Sequence, residues 1–148
     1  MRALIPLTMI AAVAGCAEAP RQLEVTGGYV RLSAVPRNPA AAYFTIQNGP
    51  SATRLITVTS EAVIRSEMHE SRTNAGGMSS MKPLQDVPVS ANGTLEFKPG
   101  GRHVMLFNVN PGVKPGYRML FSFTFANGQR LQRRLPVIGA GDPAPGTE

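Results

Sequence analysis

Tyr117-Arg118-Met119-Leu120-Phe121-Ser122-Phe123-Thr124-Phe125 is the stretch on which the fold turns. Large apolar side chains recur at every second position: Tyr117, Met119, Phe121, Phe123 and Phe125. A period of two sends all five to one side of an extended chain, which describes a strand with one buried face. Asn127-Gly128 follows. This dipeptide tolerates the left-handed backbone of a tight hairpin, so Arg130 to Val137 is expected to return alongside as the partner strand. Burying the aromatic face contributes several kcal/mol, at roughly 25 cal/mol per Å2 of apolar area.

The same pattern repeats toward the N-terminus. Ala41 to Gln47 alternates, with Ala42, Phe44 and Ile46 on one face and Tyr43, Thr45 and Gln47 on the other, before Asn48-Gly49-Pro50 turns the chain. Leu55 to Thr59, Ala62 to His69, Thr94 to Phe97 and Arg102 to Val109 read as further strands, the last two separated by Lys98-Pro99-Gly100-Gly101. No stretch of adequate length carries a helical period. Thirteen Pro and fifteen Gly in 148 residues supply the turns. Seven to nine short strands in one domain of this size imply an all-β, Greek-key β-sandwich. The domain is expected over residues 29 to 138, with a disordered tail from 139 to 148 that is rich in Gly, Ala and Pro.

The first residues read as a leader. Met1-Arg2 is a short positive start, and Ala3 to Ala14 is an uncharged, mostly apolar run too short to cross a bilayer. It ends Val13-Ala14-Gly15-Cys16, which resembles a bacterial lipobox. Residues 1 to 15 are then a lipoprotein signal peptide, Cys16 is the lipidation site, and residues 16 to 28 form the attachment and tether. The rival is an ordinary secretory signal cut after Ala17-Glu18-Ala19, although Pro20 would follow that cut. Ala rather than Asp at position 17 favours outer-membrane over inner-membrane retention, on the periplasmic side. With Cys16 acylated, the mature domain has neither a thiol nor a disulfide.

The formal charge is +6, and its basic residues are scattered. Arg130, Arg133 and Arg134 are expected on a solvated sheet edge. Interleaved aromatics are missing, so no nucleic-acid partner is expected. No nucleophile–base pair, carboxylate dyad or phosphate loop is present, and no enzyme is read.

The residues with metal-binding chemistry are few. The chain has two histidines, each near a methionine: Met68-His69 and His103-Val104-Met105. On a strand, His103 and Met105 emerge on one face. Met68 and His69 point apart, with Met68 expected in the core beside Ile64, and His69 on the more exposed face with Val63, Arg65 and Glu67. Met78 and Met81 follow Gly76-Gly77 on an expected flexible loop, and either can supply a ligand. Thioethers are soft and neutral and imidazoles borderline, a set that suits Cu(I) and not Mg2+, Ca2+ or Mn2+. Zinc usually recruits Cys or carboxylate, and a blue-copper centre needs a thiolate. The competing readings are a lipid-anchored interaction module without metal and a Cu(II) module built on the two imidazoles.

Met68-His69-Glu70, Met78, Met81-Lys82-Pro83, Lys98-Pro99-Gly100-Gly101 and His103-Val104-Met105 together resemble the periplasmic PCu(A)C copper chaperones. That family carries a His, a Met about eleven residues on, twenty-one intervening residues, and then His-x-Met. Met81 and His103 are separated by the same twenty-one residues. The resemblance runs from about Gly27 to Ile138. It implies a cupredoxin-like β-sandwich and Cu(I) bound by His69, Met81, His103 and Met105, with Met78 as the alternative loop ligand. It also implies a copper-donating or copper-accepting envelope partner, typically toward the copper A centre of cytochrome c oxidase. The loop between His69 and Met81 is one residue longer than usual, and Ser71 stands where the family often has a further Met.

Overall fold

In a computed structural model that describes residues 19–146, the chain is all β among those residues. The strands are β1 (Glu24–Arg31), β2 (Ala40–Gln47), β3 (Thr53–Thr59), β4 (Val63–Thr73), β5 (Ser79–Pro83), β6 (Val87–Val89), β7 (Thr94–Phe97), β8 (Arg102–Val109), β9 (Arg118–Phe125) and β10 (Arg130–Ile138). The leader and Cys16 lie outside the described residues.

One layer runs β5-β4-β8-β2-β1, with β7 also pairing β2; the other runs β10-β9-β3-β6. A short parallel pairing of β1 with β10, Val30 opposite Val137 and Arg31 opposite Ile138, joins them. On the other side, the Ser66 hydroxyl donates to the Val58 carbonyl and ties β4 to β3.

The inward faces follow from the alternation. Met119, Phe121, Phe123 and Phe125 from β9 meet Ala42, Phe44 and Ile46 from β2, all essentially without solvent contact. Phe44 stacks on Phe97 at 4.4 Å and meets Phe123 of the other layer edge-on at 4.9 Å. Asn48, buried at the end of β2, donates through its side-chain amide to the carbonyls of Ser51, Val89 and Ser90 and pins the β2–β3 turn to β6. The arginine-bearing part of β10 pairs only β9 and leaves a free, exposed edge, as expected.

Several expectations are corrected. Tyr117 is half exposed and precedes β9, because its N–H closes the Lys114–Gly116 turn onto the Lys114 carbonyl. Ile64 is 81% exposed whereas Met68 is buried: the start of β4 lies beyond the opposing layer, on the rim of a groove shared with Val35. Residues 24–28 belong to β1 and not to a tether, with Val25 buried. Gly27-Gly28 breaks their alternation in the sequence, because it forms a bulge in the pairing with β2. The tail is ordered at its start, where the Arg31 guanidinium donates to the carbonyls of Gly139, Ala140 and Asp142.

The bulge carries a testable cost. Gly28 has φ +119°, and a Cβ there would sit 2.5 Å from the Tyr43 carbonyl oxygen and 2.9 Å from the Phe44 Cβ. Gly28→Ala is expected to destabilise the fold by about 2–4 kcal/mol, from strain and overpacking together. Gly27→Ala, at φ +60° with open space around it, should cost only about 1 kcal/mol. Urea denaturation of the two variants checks the ordering.

Candidate metal centre

Three strands place the candidate ligands. β4 and β8 are antiparallel, with His69 directly opposite His103 and Glu67 opposite Met105. Opposed residues in such a pair project to the same face. Both imidazoles and the Met105 thioether therefore share one face of the sheet, the outer one, since Met68 and Val104 fill the core behind them. On the far side of β4, β5 pairs with Ser71 opposite Met81 and His69 opposite Pro83. Met81 is thus on that face too, diagonal to His69.

The segment between them is a defined hairpin and not the flexible loop expected. The Asn74 side-chain oxygen accepts from the N–H groups of Gly76 and Met78, at 3.0 and 2.9 Å, and Gly77 takes the left-handed turn at φ +78°. Met78 precedes β5, an odd number of residues from Met81. It lies about 10 Å further along the strand toward the tip, and strand alternation does not bring it onto the His69 face. Both methionines remain solvent-exposed.

His69 was expected on the more exposed face of its strand, and it is on the outer face, yet its side chain is only 13% exposed, because β5 and His103 flank it. The two ring centroids are 6.0 Å apart, tilted by 31°. A ligating nitrogen lies about 2 Å from its metal and about 1 Å from its ring centre, so rings sharing one ion have centres about 6 Å apart or less. Each ring has one nitrogen engaged. His103 Nδ1 lies 3.0 Å from the Gly101 carbonyl, which can only accept, and this leaves the Nε2 lone pair free. His69 Nε2 lies 3.0 Å from Glu67 Oε2, while its Nδ1 is buried with no partner. A buried acceptor without a donor is costly in a fold that gains nothing from it. A metal ion would satisfy it.

The donor chemistry narrows the ion. No group of three or more His, Cys, Asp or Glu able to hold a metal occurs among the described residues. Two imidazoles with thioether sulfur are what this face offers, a set matched to a soft metal ion. Tyr43, half-buried on the same outer face, is not an added anionic ligand: burial first, and then its neighbour Tyr29, push its hydroxyl above the ordinary phenol range. Glu67 went unrecognised in the sequence as a partner of His69, although the spacing Glu-x-His on a strand already placed the two on one face.

Comparison with known proteins agrees with this architecture. The copper-bound PCuAC domain of PmoF2 superposes with a TM-score of 0.66 at 17% identity, covering 82% of this chain and 97% of that domain. The Cu(I) form of DR1885 from Deinococcus radiodurans superposes with a TM-score of 0.62 at 26% identity, covering 86% and 85%. The fold is thus the cupredoxin-like sandwich of those domains. Among curated proteins, a "Putative lipoprotein" of Leifsonia xyli subsp. xyli is 26% identical over 98 residues, 66% of this chain and 59% of that protein. An uncharacterized protein of Rickettsia prowazekii (strain Madrid E) is 28% identical over 104 residues, 70% and 56% respectively. The matched regions span less than three-fifths of the length of either relative. The family model described as "Putative lipoprotein LpqE-like" matches residues 23–137, the whole sandwich from the approach to β1 to the end of β10, and the chain belongs to this LpqE-like family.

Proposed function

We propose that the protein is a Cu(I) chaperone of the bacterial envelope, holding one ion between His69, His103, Met105 and Met81 and passing it to a copper-accepting protein. The observation that carries this reading is the cross-strand opposition of His69 and His103, with an unsatisfied Nδ1 on one ring and a free Nε2 on the other. Met105 joins them by strand alternation, and Met81 by the β4–β5 register. All four donors are neutral, so they stabilise Cu(I) without offering the carboxylates or thiolates that would favour harder or redox-cycling metals.

The same geometry favours transfer over storage. The imidazoles are held in the middle of the layer, whereas Met81 is 52% exposed on the edge strand β5. An acceptor can therefore displace the outer thioether first while the ion stays bound to the inner donors. This is carrier behaviour, with no grouping suited to catalysis among the described residues. The copper A centre of cytochrome c oxidase is the acceptor we favour. Copper in solved PCuAC domains, and the word lipoprotein in the family's description and in one relative's name, support the two halves of the reading.

Anchoring through lipid on Cys16 limits reach. A Cβ on Gly49 would lie 2.6 Å from the Arg21 carbonyl oxygen, so the chain enters the domain against the β2–β3 turn. Only five peptide links separate Cys16 from Arg21, at most about 17 Å of extended chain. By the strand registers, that turn lies at the same end of the sheet as the tip of the β4–β5 hairpin. The copper face is thereby kept close to the membrane on its periplasmic side; with the outer-membrane retention we favour, a soluble carrier has to relay the ion to the oxidase.

Anaerobic Cu(I) titration of the soluble domain against a chromophoric chelator tests the reading. One equivalent should bind, Met81→Leu should weaken binding by at least about tenfold, and Met78→Leu should leave it unchanged. A domain that takes no Cu(I) in competition is an interaction module, and a copper paramagnetic resonance signal in protein as isolated identifies a Cu(II) site instead.

A further inference from the structure

We propose that Glu67, braced by Arg65, is a positioning residue that locks His69 in its Nε2–H tautomer and thereby selects Nδ1 as the copper donor, while His103 offers Nε2. The proposal rests on the reading of His69 as a ligand and deepens it.

The contact between His69 Nε2 and Glu67 Oε2 is 3.0 Å. An ionised carboxylate only accepts, so the proton of the neutral ring resides on Nε2, and Nδ1 carries the lone pair. The second carboxylate oxygen is engaged as well: Glu67 Oε1 lies 3.2 Å from Arg65 Nε. The Arg65 guanidinium in turn lies 4.2 Å from the centre of the Phe107 ring. Arg65 is opposite Phe107, Glu67 opposite Met105 and His69 opposite His103. The brace is therefore a row of side chains on one sheet face, set by the β4–β8 register and in place before any ion arrives.

Two observations point to function and not to stability. The Arg65 and Glu67 side chains are 59% and 39% exposed, and an ion pair that open contributes little to folding. Its inner end, by contrast, meets the one ring nitrogen pair of which the other member is buried and unbonded. Outer-shell carboxylates of this kind orient a metal-bound imidazole and raise its basicity. The two histidines are also fixed in opposite senses, His69 through Nε2 to a side chain and His103 through Nδ1 to a backbone carbonyl. The site thus has unlike donor atoms on its two rings.

Nitrogen-15 spectra of the apo protein at mildly alkaline pH test this directly. His69 should show a protonated Nε2 and a bare Nδ1, and His103 the reverse. Glu67→Gln, which keeps size but offers an amide that can also donate, should mix the His69 tautomers and weaken Cu(I) binding by about 10–100-fold, with the melting temperature nearly unchanged. Glu67→Asp should keep the tautomer and recover part of the affinity. A wild type that binds Cu(I) with His69 protonated on Nδ1 overturns the proposal alone. So does a Glu67→Gln protein with unaltered tautomer and affinity. Failure of the wild type to bind Cu(I) at all defeats the functional reading beneath it.

Discussion

Replacing both His69 and His103 by alanine is expected to abolish stoichiometric Cu(I) binding while leaving the sandwich folded. The two imidazoles stand opposite each other with centroids 6.0 Å apart. Each presents a ring-nitrogen lone pair left free by its own hydrogen bonding. Without them, two thioethers on separate strands remain, and sulfur alone from one exposed and one half-buried methionine makes a poor, floppy site. Loss of a single outer-shell partner already costs 10–100-fold at a metal site, so removal of two direct ligands should exceed that and reach the order of a thousandfold or more. The fold should tolerate the change. His103 is buried but lies on the outer face of the sheet, and its truncation leaves the Phe44–Phe123 core untouched, at a cost of about 1–2 kcal/mol. Competition with a chromophoric chelator gives the affinity, and circular dichroism checks the fold. A double variant that still holds one equivalent at the wild-type affinity would remove these histidines from the site.

Phe44→Ala should produce the largest loss of stability among single substitutions. Phe44 joins the layers: it stacks on Phe97 at 4.4 Å within one and meets Phe123 of the other at 4.9 Å, near perpendicular. It is 2% exposed, so truncation removes a full aromatic burial and leaves a cavity the surrounding strands cannot fill. Such changes cost about 3–5 kcal/mol. For a domain of this size that is a large part of the total stability and lowers the melting temperature by roughly 15 °C. The effect should reach the metal face, because β8, which carries His103 and Met105, pairs with β2 at Ala40–Ala42, directly beside Phe44. Urea denaturation followed by circular dichroism measures the loss. A change below about 2 kcal/mol would mean that the two layers do not depend on this contact.

Much of the sandwich was legible because burial on one side of a sheet imposes a period of two. β2 and β9 announced themselves in this way, and so did the turn at Asn127-Gly128, since few other residues accept its backbone. Where the period failed, so did the reading. β1 hides a bulge at Gly27-Gly28, β6 is three residues long, and Tyr117 keeps the parity of β9 while lying in a turn.

His103 and Met105 share a face by local geometry alone, because i and i+2 on any strand do so; their chemical type and the all-β character of the chain were likewise set by sequence alone. The approach of His69 to His103 was a different matter. It depends on the register of β4 against β8, and a slip of one residue would have sent His69 into the core and Met68 to the surface. Met81 shares their face for the same kind of reason, since the Asn74–Gly77 turn sets the pairing of β5 with β4. The free Nδ1 of His69 depends on where Glu67 and Arg65 come to rest. Register and hydrogen-bond partners are relations between segments distant in the chain, decided by the packing of the two layers, and only the tertiary structure contains them.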